Sequence, residues 1–389
     1  MTTLCAQSIY AAEQRLYRSL RVHSCRTHIA EHADYFFVPV LSSHAAHEKL
    51  GTSGAQLQRA FDLLNDSLAY ITSRHPYYTR SGGKDHFWVV AHDIGSCLAP
   101  LSMISSIFLQ SNGDVIPNPE GMLYYLSHSS PNISNSFRAR IQHPCFSAGK
   151  DVVIPPHFVE RETLVLQAND THTRTNFVFF RGSVRNESVY SNGIRQFIRD
   201  NLVDKPGFLI SFDLHKGSNA AARYWEELRA SQFCLCPPGW VGWSPRLFQA
   251  VAAGCIPVLF GNMTLPFQQI TEIESFIVRI PTTRVSELKV LLESIPDHTL
   301  QTMRQSMANS WRKFTYPWHT EPIVLKTNPL VIESRHGGVA DLVLEELGKR
   351  LPHFRPLIAL ESRCEAQGTT SDHSCLGAAE VSLPEGAAA

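Results

Sequence analysis

Short apolar segments and amphipathic segments alternate along most of the chain. Apolar runs predict buried strands at 34–40, 86–93 and 151–156, and then at 177–180, 208–211, 233–236 and 256–260. Residues 55–74 carry apolar side chains at helical spacing, which predicts an amphipathic helix that Pro76 ends. Further helices are predicted at 191–202, 219–231, 244–254 and 338–351, with a helical pair between Ser286 and Tyr316. This alternation favours an α/β architecture with parallel sheets.

Two such α/β series follow one another along the chain. They predict two Rossmann-like, doubly wound domains that face each other across a ligand cleft. We place the N-terminal domain at 1–170 and the C-terminal domain at 171–335, with THTRT (171–175) as the linker. The segment 336–362 contains a helix that we expect to pack back against the first domain. Residues 363–389 have few large apolar side chains, which predicts a disordered tail.

Composition and charge exclude several classes of protein. Of the 389 residues, 43% are hydrophobic, so a chain that is disordered throughout is excluded. Lys and Arg together number 35, as do Asp and Glu. The chain therefore lacks the excess of basic residues that is typical of nucleic-acid-binding proteins. The sequence shows neither the roughly 20 consecutive apolar residues of a membrane-spanning helix nor the apolar run of a signal peptide.

Nine cysteines and five N-glycosylation sequons give information on the cellular compartment of the protein. No cysteine pair has zinc-finger spacing, so a structural metal is not expected. The thiols are either reduced and buried, or they form one or two disulfides in a secretory compartment. The sequons begin at Asn65, Asn132, Asn169, Asn186 and Asn262, more than the roughly two that average composition predicts. This excess favours a luminal protein.

The segment CPPGWVGWSPRLFQAVAAGCIPVLF (236–260) carries the clearest candidate chemistry. A Gly-rich, aromatic loop leads into a predicted helix with Ser244 as its N-cap and Gly254 as its C-cap. Arg246 lies in the first turn, where its guanidinium can clamp a diphosphate. Gln249 lies further along the same helix and can reach a ribose hydroxyl beside that diphosphate. The alternative is that Arg246 forms an ion pair and the helix is only scaffold.

Two further groups stand at predicted strand ends. Arg181 and Gly182 follow one strand, where the cation can face the cleft and the glycine lets a ligand approach the backbone. His92 and Asp93 end a strand of the other domain and form a candidate acid/base pair. The alternative for Asp93 is that it caps the turn before Gly95.

Several motifs are absent from the sequence. There is no P-loop, GxGxxG, HExxH or GxSxG motif, and no Asp-x-Asp pair that would hold a metal ion. We therefore expect a diphosphate leaving group to be stabilised by arginines, with no metal required. Trp240, Trp243, Tyr77 and Tyr78 could stack on sugar rings, and core packing is the alternative for each.

Seven blocks of the sequence together resemble the exostosin-like glycosyltransferases, glycosyltransferase family 47, in its plant and green-algal branch. The blocks are RTHIAEHADYFFVPV (26–40), HPYYTRSGGKDHFWVVAHDIGSC (75–97), HPCFSAGKDVVIPP (143–156), FFRG (179–182), VYSNGIRQ (189–196), FCLCPPGWVGWSPRLFQAVAAGCIPVLF (233–260) and LPF (265–267). The resemblance spans about residues 20–353 and covers both predicted domains.

The resemblance implies a GT-B fold and an inverting transfer from a UDP-sugar to a glycan acceptor, without a metal. The donor would bind mainly to the C-terminal domain, with Arg181, Gly182, Ser244, Arg246 and Gly254 in matching blocks, and the N-terminal domain would lie on the acceptor side. It also implies a Golgi protein with an N-terminal membrane anchor that this chain lacks. As a further partner we consider a hetero- or homo-oligomer with other glycosyltransferases. A disulfide between Cys97 and Cys145 is implied by the same resemblance.

One residue departs from the family pattern. Where the signature has glutamate, this chain has Gln249, which replaces a carboxylate with an amide that can both accept and donate. We expect altered nucleotide binding, and the alternative function is therefore a catalytically silent subunit that supports an active transferase or binds glycans. A cytosolic transferase is a further alternative, which the sequons disfavour.

Overall fold

Two parallel sheets organise the part of the chain that the structure, a computed structural model, describes: residues 8–47, 53–114, 133–157, 173–213, 217–316 and 338–351. The first sheet has the order β1-β2-β3-β4, and its strands are Phe36–Val38, His86–Val90, Ile107–Gln110 and Val152–Val153. The second has the order β6-β5-β7-β8-β9, with β5 Asn176–Arg181, β6 Phe208–Ser211, β7 Ser231–Cys236, β8 Ile256–Phe260 and β9 Val278–Ile280. All strand pairs are parallel, which confirms the predicted α/β architecture with parallel sheets.

Helices connect the strands in both halves. They are α1 Ala12–Val22, α2 Ser42–His47, α3 Ser53–Arg74, α4 Tyr77–Ser81, α5 Asn135–Arg140, α6 Ile194–Leu202, α7 Ala220–Arg229, α8 Arg246–Ala252, α9 Leu288–Glu293, α10 Asp297–Ser310 and a last helix, α11, over 339–351. No helix within these described ranges is both long and apolar enough to cross a membrane.

Strand β2 shows how the first sheet is buried. Phe87 and Val89 belong to an apolar core that continues into the second sheet, whereas Trp88 and Val90 belong to a second core against α3. Successive side chains of a strand point to opposite faces, so β2 is buried on both. This is why its sequence is continuously apolar.

Several elements differ from the sequence-based predictions. Strands β3 and β9 and helix α1 were not predicted, because the two strands have only four and three residues and show no clear period. Strand β4 has two residues instead of 151–156, since the following Pro155 and Pro156 lack an N–H. Helix α6 begins at Ile194, three residues after the predicted start, because Ser191, Asn192 and Gly193 have φ angles of 59°, 50° and 76°.

Two disulfides lie in the described residues. Cys97 pairs with Cys145, which confirms the pairing that the family resemblance implies. Cys234 of β7 pairs with Cys255 beside β8, a bridge that the sequence left open. Cys25 is an exposed thiol and Cys236 a buried one.

The two halves of the chain touch at several places within the described residues, among them the hydrogen bond from the Tyr316 hydroxyl to the Pro155 carbonyl at 2.6 Å. The Thr264 amide donates to the Gly113 carbonyl at 2.8 Å. Helix α11 packs on the N-terminal half, where Tyr35 donates to the Leu347 carbonyl at 3.0 Å and Arg350 donates to the Lys150 carbonyl at 2.6 Å. The predicted tail at 363–389, the segment 352–362 and part of the linker lie outside the described residues.

Candidate active site

Helix α8 and the loop before it form the core of the candidate site. The helix begins at Arg246, with Pro245 rather than Ser244 at the N-cap position, so the predicted cap was placed one residue early. The Ser244 hydroxyl still accepts from the Arg246 amide at 3.4 Å. Gly254 has φ 69° just beyond the other end of the helix, about 12 Å from Arg246. Its conformation ends the helix, and we therefore do not include it in the proposed donor site.

Arg246 is a buried cation without a carboxylate partner among the described residues. Its Nη2 donates to the Arg181 carbonyl at 2.6 Å, and its guanidinium carbon lies 4.6 Å from the centre of the Phe180 ring. Its Nε and Nη1 are buried and make no hydrogen bond within the described chain. Buried donors left unpaired destabilise the fold. The arrangement favours a bound anion over the alternative of an ion pair.

Arg195 is a second buried cation beside Arg246, and sequence reasoning missed it. It donates to the carbonyls of Ser183, Pro237 and Pro238 and to the Tyr190 hydroxyl, all neutral groups. Burial, together with repulsion from Arg246, lowers the pKa of Arg195 to about 10, so it stays charged at neutral pH. An arginine on an amphipathic helix is ordinarily solvated, and only its place in the VYSNGIRQ block could have signalled it.

The Arg181 side chain does not face the cleft as a free cation. Its guanidinium forms a two-point ion pair with Glu227 at 2.8 and 2.7 Å and also donates to Ser211 Oγ. The part of Arg181 that reaches the site is its main-chain carbonyl. Gly182 follows, and a Cβ there would lie 2.8 Å from Arg246 Nη2, so the glycine leaves room for the arginine rather than for a ligand.

Gln249 has a partner that the sequence did not reveal. The Tyr224 hydroxyl of α7 donates to Gln249 Oε1 at 2.9 Å. Burial raises the pKa of Tyr224, so this donor is neutral at physiological pH. The carbonyl oxygen of the amide is thus occupied, and its Nε2 is a donor.

His92 and Asp93 follow β2 at the carboxyl edge of the first sheet. His92 is buried, and its Nδ1 accepts from the Ile94 amide at 3.2 Å. Asp93 is half-buried and accepts from the Tyr10 hydroxyl at 2.9 Å. The turn before Gly95 is closed by a main-chain bond from the Gly95 amide to the His92 carbonyl at 2.8 Å. Asp93 is therefore the more accessible of the two candidate bases.

The buried carboxyl group of Glu13 accepts a hydrogen bond from the amide of Ala91, the residue before His92. Glu13 of α1 accepts from the amide and hydroxyl of Ser43, the hydroxyl of Ser42 and the amide of Ala91. Burial raises the pKa of Glu13 to about 7, although these hydrogen bonds act in the opposite direction. Through these hydrogen bonds Glu13 connects α1 with the start of α2 and with the residue that follows β2.

Three of the four predicted sugar-stacking aromatics do not lie open in the cleft. Trp243 and Tyr78 are buried. Tyr77 stacks on Phe36, the first residue of β1, at the sheet edge opposite His92. Trp240 is half-buried on the donor loop, with its ring edge-on to Tyr190 at 4.9 Å. Only Trp240 remains a candidate, because the other three are either packed in the core or lie at the far edge of the sheet.

No group of three His, Cys, Asp or Glu side chains in the described ranges is placed to hold a metal ion. The candidate site consists of the two buried arginines, Gln249 and the loop 237–245 in the C-terminal half, and of His92 and Asp93 in the N-terminal half.

Comparison with known proteins gives a family. Residues 2–295 match the profile of the Exostosin GT47 domain. The chain is 30% identical over 361 residues to the probable β-1,4-xylosyltransferase IRX10L of Arabidopsis thaliana, covering 90% of this chain and 77% of that protein. It is 29% identical over 357 residues to a probable glucuronosyltransferase of Oryza sativa subsp. japonica, covering 90% of this chain and 76% of that protein.

Among solved structures the chain is similar to TarM of S. aureus, with a TM-score of 0.31 and 10% identity over 66% of this chain and 57% of that one. A likeness at this level does not bear on function. The family profile, in contrast, covers every strand of both described sheets. The chain belongs to the exostosin GT47 family.

Proposed function

We propose that this protein is a glycosyltransferase that moves a sugar from a UDP-sugar to a glycan acceptor of the cell-wall polysaccharide type, with inversion. The observation that carries the proposal is Arg246, a buried cation with two unpaired N–H donors in the described chain, beside Arg195. A diphosphate supplies negative charge beside both cations and the acceptor oxygens that Arg246 lacks. The names of the plant relatives, xylosyl- and glucuronosyltransferases, support the reaction class.

In the proposed mechanism the N-terminal half supplies the base and the C-terminal half stabilises the leaving group. Asp93 takes the proton of the acceptor hydroxyl, and that oxygen attacks the anomeric carbon from the face opposite the diphosphate. The bond from the sugar to UDP breaks, and the developing charge moves onto the diphosphate. Arg246 and Arg195 stabilise this charge from buried positions, where electrostatic interactions are strong. A metal ion is not required in this scheme.

A catalytically silent subunit is the second candidate, because Gln249 stands where the family signature has glutamate. The Tyr224 hydroxyl favours the enzyme over this alternative, since it satisfies the amide oxygen and holds the side chain in the site. An oligomer with other transferases and residence in the Golgi belong to the same proposal. Two disulfides support a secretory compartment.

A titration with UDP and a transfer assay test the proposal. Purified protein is titrated with UDP, and UDP release is measured with a panel of UDP-sugars and xylan-type oligosaccharides. We expect UDP to bind and Arg246→Ala to lose about 1.5–3 kcal/mol of UDP affinity. Arg284→Ala is the matched control, because Arg284 is exposed and pairs with Glu287. Failure of the wild type to bind UDP would overturn the proposal, and binding without transfer would favour the silent subunit.

A further inference from the structure

Asp114 is an acidic side chain that the N-terminal half places directly on the loop 237–245. A Cβ built on Gly242 would lie 2.6 Å from Asp114 Oδ2 and 2.9 Å from its Cγ, so the carboxylate packs on the Gly242 backbone. Gly242 lies four positions before Arg246. The missing side chain at Gly242 is what allows this close approach.

The position of Asp114 is held from several sides. Its own amide donates to Asn112 Oδ1 at 3.1 Å, and the preceding Gly113 carbonyl accepts from Thr264 of the other half at 2.8 Å. A Cβ on Gly113 would lie 2.1 Å from the Thr264 carbonyl oxygen, so the two backbones are in direct contact. The carboxylate is therefore part of a tight junction between the two halves.

Asp114 also lies at the same edge of the first sheet as Asp93, the proposed base. Val90 pairs with Gln110, so the residues after β2 and β3 leave the same sheet edge side by side. Asp93 follows β2 and Asp114 follows β3. A sugar whose diphosphate is bound at Arg246 and whose anomeric carbon faces Asp93 would lie between the loop 237–245 and this sheet edge, the region where Asp114 contacts Gly242.

We propose that Asp114 determines donor specificity by favouring UDP-sugars with a neutral sugar over those with a uronic acid. A carboxylate accepts hydrogen bonds from sugar hydroxyls, whereas it repels the carboxylate of a uronic acid in a partly buried site. This inference rests on the proposed function and deepens it by naming the donor class.

The test compares the affinities of UDP-xylose and UDP-glucuronate, which requires binding but not turnover. We expect the wild type to bind UDP-xylose about tenfold more tightly or better, and Asp114→Asn to reduce this ratio several-fold. Asp204→Asn is the matched control, since it removes the same charge from an exposed residue whose φ of 62° asparagine tolerates. Thermal melting and the affinity for UDP itself show whether each variant is folded.

The outcomes separate the inference from the function it rests on. If the wild type binds UDP but prefers UDP-glucuronate, or if Asp114→Asn leaves the ratio unchanged, the specificity role is wrong and the transferase proposal stands. If the wild type binds neither UDP nor either UDP-sugar, both are wrong. A reduced ratio in Asp114→Asn, with the ratio of Asp204→Asn at the wild-type value, supports the role of Asp114.

Discussion

The Arg181 carbonyl accepts a 2.6 Å hydrogen bond from Nη2 of Arg246 across the space that Gly182 leaves open. Arg181 ends β5, Gly182 follows it and Arg246 begins α8, so residues distant in the sequence meet here. The hydrogen bond holds the Arg246 guanidinium in the site while its Nε and Nη1 stay without a partner in the described chain.

Gly182→Ala tests this arrangement. The new Cβ would lie 2.8 Å from Arg246 Nη2, so the guanidinium must move and UDP affinity should fall by about 1.5–3 kcal/mol. Isothermal titration with UDP measures the loss. Gly348→Ala is the matched control, because no atom lies within 4 Å of the added Cβ. An unchanged UDP affinity in Gly182→Ala would show that the bond to Arg181 does not position Arg246.

Asp93→Asn should lower turnover by about 10²–10⁴-fold and leave UDP affinity intact, since the carboxylate acts on the acceptor and not on the nucleotide. Steady-state transfer rates, measured beside UDP titrations, separate the two effects. Full turnover in this variant would remove Asp93 as the base, and His92→Gln would then be measured in the same way.

Gln249→Glu tests whether the amide weakens UDP binding or whether the nucleotide site has adapted to it. If the amide only weakens the contact, glutamate should raise UDP affinity, because a charged acceptor makes roughly twice as strong a hydrogen bond. The Tyr224 hydroxyl can donate to either side chain. A neutral or harmful effect indicates that the site has adapted to Gln249, and turnover by the wild type would end the silent-subunit alternative.

Removal of divalent metal should leave transfer at its normal rate, because the charge of the leaving diphosphate is carried by Arg246 and Arg195. The measurement is the initial rate in excess EDTA against the rate with added Mn²⁺. Loss of activity in EDTA and recovery with Mn²⁺ would contradict the proposed mechanism.

Glu13 should make stability depend on pH. Burial raises its pKa from 4.5 to about 7, so between these values the folded protein binds a proton that the unfolded chain releases. The free energy of unfolding should therefore fall as pH rises through this window, by up to about 3 kcal/mol.

Glu13→Gln should flatten this dependence, because the amide stays neutral and the hydroxyls of Ser42 and Ser43 can accept from it. Urea unfolding at several pH values between 4.5 and 7 provides the measurement. The exposed Glu293→Gln serves as the control and should keep the slope of the wild type. A wild-type protein whose stability is flat across the window would contradict the raised pKa.

Much of the fold was predictable from local patterns. The continuous apolar runs of β2, β5, β7 and β8 indicated strands buried on both faces, and the helical period of 55–74 indicated α3. Strands β3 and β9 were missed because a strand of three or four residues has too few positions to show a period, and its existence depends on the neighbours it pairs with.

For the candidate site, too, some features were predictable from local sequence signals and others were not. The loop 237–245, Arg246, Gln249 and Asp93 were recognisable in the sequence, since turn residues, a helix start and a strand end carry local signals. The neutralisation of Arg181 by Glu227 was not, because the two residues are 46 positions apart and meet through packing of α7 on the second sheet.

The surroundings of four further residues depend on contacts between distant segments; these residues are Arg195, Tyr224, Glu13 and Asp114. Charge and residue type can be read along the chain, but burial and pairing are properties of neighbours in space. Local patterns in the sequence therefore indicated the two parallel sheets and made the segment 236–260 the candidate for an anion site. Packing between the segments determined that Arg181 pairs with the Glu227 carboxylate, whereas Arg246 has no carboxylate partner in the described chain.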